Sequence, residues 1–279
     1  MESSKVWYVT GASQGLGLIL VKELLEWGFR VVATSRKAQA LIDAVGPFPA
    51  TQFLPLSVDL HDPVSIEGSI RQTIDVFGRI DVVVNNAGYG MAGTVEEIET
   101  KEVRDIIDIN LTAAISVTRQ VLPFMRAQGS GYFINIGSVA GFVGAPGWSI
   151  YSATKAALAA FSEVLALDVK EFGIRVTVVE PSGFRTGFLT DNSLAYKESK
   201  IDGYEAVKKT QERYLAMNGI QAGDPKKAVE IFIRLAEIPE PPLHLFLGAD
   251  AYNRAAQKLT VLSGELEKWK AVTVSADFA

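Results

Sequence analysis

Short runs of consecutive apolar residues recur along the chain, each followed by a longer stretch in which apolar positions return every three or four residues. The first pattern reads as a strand buried on both faces, the second as an amphipathic helix. Strands are predicted over 5–9, 30–34, 52–58, 81–84, 131–136, 174–179 and 243–247. Helices are predicted from the turn after the first strand through Trp27, and over 38–45, 63–77, 152–170, 225–237 and 249–270. Residues 96–128 form a further helical region of one or two helices. Gly46-Pro47-Phe48-Pro49 and the proline-rich run 239–242 break the pattern, while Asp62-Pro63 and Asp224-Pro225 open helices. An aspartate caps the free amides there and proline suits the first turn.

Residues 187–223 resist the pattern: they are polar, weakly amphipathic and interrupted by Gly203 and Gly219. A lid over a binding site is the expectation for this segment. Residues 249–279 read as a C-terminal helical extension with an irregular tail beyond 270. Strands alternate with helices throughout. That predicts an α/β fold, a doubly wound parallel sheet of about seven strands with helices on both faces (Rossmann-type), as one domain over 1–279.

Composition narrows the picture. With 279 residues, 48% hydrophobic, the chain can bury a sizeable core. A net charge of -5 gives no reason to expect nucleic acid or an anionic membrane surface as a partner. There is no cysteine, hence no disulfide framework, no thiol nucleophile and no cysteine metal site. Two histidines without supporting carboxylate spacing leave no metal site to expect. The opening residues MESSK lack the layout of a signal peptide, and no uncharged apolar run reaches membrane-spanning length. A cytoplasmic protein is expected.

The candidate chemistry gathers at the predicted carboxyl ends of the strands, where open α/β sheets bind ligands. After the first strand comes Thr10-Gly11-Ala12-Ser13-Gln14-Gly15-Leu16-Gly17, then a helix. That order presents backbone amides and a helix N-terminus to a pyrophosphate. Gly11 makes the tight turn, Gly15 lets backbone approach phosphate, and Gly17 lets the helix pack close. The second strand ends in Ser35-Arg36, where NAD-preferring enzymes carry a carboxylate for the ribose. A guanidinium suits a 2′-phosphate instead, with Ser13 near enough to add a hydroxyl, so NADP(H) is expected. Asp59-Leu60 and Asn85-Asn86-Ala87-Gly88 end the next two strands, the latter small enough to leave room for a flat cofactor.

Ser138 follows the fifth strand, and Tyr151 and Lys155 lie four apart at the start of a helix, on one face. An ammonium beside a phenol favours phenolate, and a serine hydroxyl can hold a carbonyl oxygen, which together suit carbonyl/alcohol chemistry. Tyr196/Lys200 and Tyr204/Lys208 share the spacing but lack a serine thirteen residues earlier. Asn110 lies inside a helical region, where asparagine is mildly unfavourable, so it is either exposed or used.

With these residues in place the chain resembles the short-chain dehydrogenase/reductase family in its short single-domain form, well over 5–190 and loosely beyond. TGASQGLG matches the family's cofactor turn, and NNAG at 85–88 its sheet-end motif. Asn110, Ser138, Tyr151 and Lys155 match its catalytic tetrad. The resemblance implies that Tyr151 exchanges the proton with the substrate oxygen, Ser138 hydrogen-bonds that oxygen, Lys155 holds the nicotinamide ribose and lowers the tyrosine pKa, and Asn110 supports a water leading to Lys155. It places Gly11, Ser13, Gln14, Gly15, Leu16, Gly17, Arg36, Asp59, Leu60, Asn86, Ala87 and Gly88 at the cofactor, Asp59 against adenine. Pro181, Gly183, Phe184 and Thr186 join them, with Thr186 on the carboxamide. Two departures stand out. Ser182 replaces a usual glycine, which would shift the loop if a positive φ were required there, with Gly183 compensating. Gln14 stands where NADP-type members often carry a second basic residue.

Tyr89, Met91, Phe142, Trp148 and Phe188 flank the predicted site and suggest an apolar pocket for a small-molecule ketone, aldehyde or secondary alcohol of some bulk. Arg185 is a candidate clamp for a substrate carboxylate. The expected activity is metal-independent hydride transfer with NADP(H). A nucleotide-sensing protein without turnover, and an epimerase or dehydratase on the same fold, are the alternatives. A homodimer or homotetramer is expected, as is common in the family, paired through the apolar helices at 99–128 and 152–172.

Overall fold

The computed structural model describes residues 5–278. The first half alternates β1 (Val6–Val9), α1 (Gly15–Glu26), β2 (Arg30–Ser35), α2 (Ala38–Val45), β3 (Phe53–Ser57), α3 (Pro63–Phe77) and β4 (Val82–Asn85). A short strand β5 (Gly90–Ala92) follows, then α4 (Thr100–Ile107) and α5 (Ala113–Gln128). The second half holds β6 (Gly131–Ile136), α6 (Val139–Phe142), α7 (Ser149–Asp168), β7 (Ile174–Pro181), β8 (Leu194–Tyr196), α8 (Glu205–Ala216), α9 (Pro225–Leu235), β9 (His244–Leu247) and α10 (Ala249–Val274).

Seven strands form one parallel sheet in the order β3-β2-β1-β4-β6-β7-β9. Side chains alternate across a strand, so β1 feeds two cores. Trp7 and Val9 pack with Leu20, Leu24, Val229 and Phe232 of α1 and α9 on one face. Val6 and Tyr8 pack with Ile66, Ile70, Val117, Val121 and Leu165 of α3, α5 and α7 on the other. The chain winds outward from β1 to β3, then returns to the other side of β1 at β4. That reversal opens a crevice between the carboxyl ends of β1 and β4, where the glycine turn and the NNAG segment meet.

Several expectations change. Residues 96–99 are not helical; α4 begins at Thr100, where Glu99 and Glu102 close a reciprocal capping box. Between α4 and α5 the helix does not break but widens into one π turn, Asp108–Thr112, which holds Asn110. α7 begins three residues before the expected start, since the Ser152 amide already bonds the Trp148 carbonyl. The lid segment is more ordered than its polarity suggested. β8 pairs in parallel with β5, and α8 occupies the stretch between Gly203 and Gly219. α10 continues past 270 to Val274. Only its first part touches the body: Ala251 and Ala255 are buried, whereas Leu259, Leu266 and Trp269 are 56%, 70% and 55% exposed.

Candidate active site

The glycine turn is shaped by close contacts. Gly11 and Gly15 adopt left-handed φ of 63° and 57°. A Cβ on Gly11 would stand 2.7 Å from Ala87 Cα, and one on Gly17 would stand 2.5 Å from Asn86 Nδ2. Glycine is therefore required at both, which draws the turn against the NNAG segment. Asn86 Nδ2 donates to the carbonyls of Thr10 and Gly11 at 2.9 and 3.0 Å. Thr10 Oγ1 accepts the amides of Asn86 and Ala87, each at 3.0 Å. Asn86 thus ties one loop to the other, and Thr10, missed in the sequence, is its counterpart.

No side chain caps α1. Gln14 instead donates its amide to Ser193 Oγ at 2.7 Å, linking the turn to the lid segment. The first-turn amides of α1 are left to an anion, as a pyrophosphate site requires. Gly15, Leu16 and the half-buried Ser13 lie on this rim. Arg36 and Asp59 are exposed at the ends of β2 and β3, and Leu60 is half-buried behind them. The His61 amide, donating to Asp59 at 2.9 Å, holds that carboxyl below its usual range, and Arg36 contributes from nearby. The residues of this rim suit a dinucleotide: small residues stand where any Cβ would intrude, uncapped amides open α1, and a cation stands at the end of β2.

The proton-transfer side lies at the ends of β6 and β7. Ser138 caps α6, its hydroxyl accepting the Ala140 amide at 3.1 Å. Tyr151 sits in the first turn of α7 and Lys155 one turn on, each 5% exposed. Burial pushes the Tyr151 phenol up to about 12, while the Ser138 hydroxyl hydrogen-bonded to it acts the other way. Burial also pulls Lys155 down to about 8. Lys155 Nζ donates to the Ile136 carbonyl at 2.8 Å and lies 5.9 Å from the centre of the Tyr151 ring. The net effect on the phenol is a rise, because desolvation outweighs the hydrogen bond to Ser138 while the substrate is absent.

Asn110 is used rather than exposed. Its Oδ1 accepts the Tyr89 amide at 3.0 Å, and its Nδ2 donates to the Tyr89 carbonyl at 2.9 Å and to Thr154 Oγ1 at 3.2 Å. Thr154 in turn donates to the Tyr151 carbonyl at 2.8 Å. The amide therefore clamps the strand end to the helix that carries Tyr151 and Lys155. Gly88 lies beside it, where a Cβ would stand 3.0 Å from Asn110 Oδ1 and 3.4 Å from Lys155 Nζ.

Pro181 ends β7, and the loop beyond it returns toward the glycine turn. A Cβ on Gly15 would lie 3.9 Å from Thr186 Cβ, while Thr186 Oγ1 accepts the Phe188 amide at 3.3 Å. No residue other than glycine has a positive φ among the described residues, so Ser182 is not strained, and Gly183 has no positive φ to supply either. The compensation lies elsewhere. A Cβ on Gly248 would stand 2.6 Å from Ser182 Oγ, so the glycine opposite makes room for the serine. Phe184, expected at the cofactor, packs its ring into the core and against Gly223.

The substrate side is aromatic. Trp148 meets Tyr151 edge-on with centroids 5.5 Å apart, and Phe188 lies 6.0 Å from Tyr151. Tyr89 and Met91 join the same cluster. Phe142 does not: its ring packs on Phe246 at 5.1 Å, under Lys258 of α10. Sequence proximity to Ser138 placed it wrongly, because α6 turns its side chain toward β9. Tyr89 is pushed up to about 12 by burial and then by Asp105, Glu102 and Asp108, an acidic surround unsuited to an anion. Arg185 donates to the Gln221 carbonyl at 3.2 and 3.1 Å and is thereby engaged by the 187–223 segment. The Trp148 indole N–H is buried without an acceptor, which costs about 1–3 kcal/mol unless a bound molecule supplies one.

The profile of the short chain dehydrogenase family matches residues 5–197. The oxidoreductase BOA17 of Botryotinia fuckeliana is 35% identical over 274 residues, covering 98% of this chain and 99% of that protein. The 3-ketodihydrosphingosine reductase of Bacteroides thetaiotaomicron is 34% identical over 248 residues, covering 86% of each. Among solved structures, a short-chain dehydrogenase from Streptomyces avermitilis is similar with a TM-score of 0.90 and 38% identity, covering 98% of this chain and 99% of that one.

Proposed function

The chain belongs to the short-chain dehydrogenase family, and from that premise we propose that it moves hydride between NADP(H) and an uncharged ketone, aldehyde or secondary alcohol, with Tyr151 exchanging the proton. One arrangement carries the reading: a buried phenol, hydrogen-bonded to Ser138 and overlooked by Lys155, lies at the same carboxyl edge of the sheet as a glycine turn with free amides. A bound nicotinamide supplies hydride at the carbonyl carbon. Gly11, Gly15, Gly17 and the amides of α1 would hold its pyrophosphate, and Arg36 would meet the 2′-phosphate. In the reducing direction Ser138 holds the substrate oxygen and Tyr151 donates its proton to it. Lys155 supplies positive charge next to the phenolate that forms, and Asn110 fixes the helix that carries both. Tyr89 and its acidic neighbours disfavour a substrate carboxylate.

Association with a second copy belongs to the same reading. Val164 and Leu167 on the outer side of α7 are 57% and 74% exposed. Leu259, Leu262, Leu266 and Trp269 of α10 recur at three- and four-residue spacing on an exposed stretch, the pattern of a helix seam. α7 is also long and apolar enough to cross a membrane, but it packs on the sheet and carries Tyr151 and Lys155, and a cytoplasmic enzyme is the reading we adopt.

The test is a panel of neutral ketones and aldehydes with NADPH and NADH, comparing wild type with Tyr151→Phe. Wild type is expected to oxidise NADPH, and the variant to lose about a hundredfold or more in kcat at unchanged NADPH affinity. Tight NADPH binding with no turnover on any carbonyl would favour a sensor. A redox-neutral product with cofactor recycled would favour an epimerase or dehydratase.

A further inference from the structure

The lid helix α8 brings one side chain to the Tyr151 cleft that the sequence pattern did not single out. Tyr214 packs its ring on Trp148, with centroids 4.8 Å apart and planes inclined by 52°. Trp148 in turn meets Tyr151 edge-on at 5.5 Å, and Phe188 closes on Tyr151 from another element at 6.0 Å. Arg213, itself exposed, lies 5.2 Å from the Tyr214 ring. The helix is held in place independently. Gln211 Nε2 donates to the Lys197 carbonyl at 2.7 Å, and Lys197 Nζ pairs with Glu102 at 2.6 Å. A Cβ on Gly147 would stand 2.8 Å from Val207, so α8 lies directly against the residue next to Trp148.

We propose that Tyr214 is a specificity-determining residue. With Trp148 and Phe188 it forms an aromatic slot beside the Tyr151 ring, and that slot selects uncharged carbonyl compounds whose reacting carbon carries a flat, unsaturated ring. The proposal rests on the oxidoreductase reading above and names its substrate class.

Three observations carry it. All three walls are aromatic rings, which favour flat partners through offset and edge contacts beyond simple burial. Tyr214 is half-buried and packs on this cluster from its rim. The Trp148 indole N–H, on a residue 4% exposed, still lacks an acceptor, so the slot also offers one donor to an oxygen or nitrogen on the ring or its substituent. Tyr214 also stands close enough to disfavour the Tyr151 phenolate, after burial has raised that phenol and Ser138 has partly offset it. The lid therefore stands one ring away from the reacting group, through Trp148.

The test compares acetophenone with 2-butanone, using NADPH and NADH, for wild type, Tyr214→Phe, Tyr214→Leu and Tyr214→Ala. Tyr214→Ala and Tyr214→Leu are expected to lose about tenfold or more in kcat/KM on acetophenone, chiefly through KM, with 2-butanone changed by about twofold or less. Tyr214→Phe keeps the ring and is expected to keep the preference. NADPH affinity, read by fluorescence titration, is expected to be the same in all four proteins. Equal losses on both ketones, or an unchanged preference in Tyr214→Ala, would overturn the proposal while leaving the enzyme reading intact. Wild-type protein that reduces neither ketone with either cofactor would overturn both.

Discussion

Lys155 Nζ stands 5.9 Å from the centre of the Tyr151 ring, yet its hydrogen bond goes to the Ile136 carbonyl at 2.8 Å. The two titratable groups are thus close, buried and each biased toward its neutral form, the phenol to about 12 and the amine to about 8. Tyr151 keeps its proton through the whole working range. The group that titrates within it is Lys155.

Reduction should therefore be flat below about pH 8 and decline above it, as Lys155 loses the charge that steadies the forming phenolate. Lys155→Arg should abolish that limb, since a guanidinium does not deprotonate there. A kcat/KM profile of both proteins from pH 6 to 10 reads this directly. A wild-type profile still level at about pH 9.5 would reject it.

Lys155 also costs stability. Its folded-state pKa lies below the ordinary 10.5, at about 8, so the penalty is fully present below about pH 8 and fades as pH rises toward 10.5. The size is on the order of 3 kcal/mol. Part of it returns through the bond to Ile136, so Lys155→Met should stabilise by about 1–2 kcal/mol at pH 7 while removing activity. In melts at pH 7 and pH 10 the gain should shrink at the higher pH. Tyr151 does not interfere, because its raised folded pKa costs stability only above pH 10, the ordinary value for tyrosine.

Arg36→Ala should weaken NADPH by about thirtyfold, roughly 2 kcal/mol for a lost charge-assisted contact, and leave NADH within about threefold. Fluorescence titration with both cofactors measures it. Equal losses would remove the NADP(H) assignment.

Gly248 has φ of 98°, and a Cβ there would meet Ser182 Oγ at 2.6 Å. Gly248→Ala should cost about 2 kcal/mol or more from backbone and steric strain together. Adding Ser182→Gly should restore only the steric part. Denaturant titrations of the two single variants and the double variant separate these contributions, and full recovery in the double would show that the backbone is not strained.

The seven sheet strands are legible in the sequence because each carries a short apolar run, and those in the middle of the sheet feed both cores. β5 and β8 are not, since each has three residues and they pair across about a hundred positions of chain. The role of Asn110 is hidden because a polar residue inside a helix has no signature that tells a solvated side chain from one that clamps Tyr89. Tyr214 is invisible for a related reason: α8 is mostly polar, and only the packing of α8 turns that one ring toward Trp148. Phe142 shows the reverse failure, near Ser138 in sequence but aimed at Phe246.

α10 runs for 26 residues, about 39 Å at the usual rise, and loses contact with the body midway. A lone helix of that length is only marginally stable in water, so its outer turns open readily to a protease. Lys268 and Lys270 stand there as tryptic sites whose cleavage breaks no contact of the sheet or the cleft. The molecule carries its own detachable handle, and the rate at which trypsin removes it at rising protein concentration reports whether a second copy shields it.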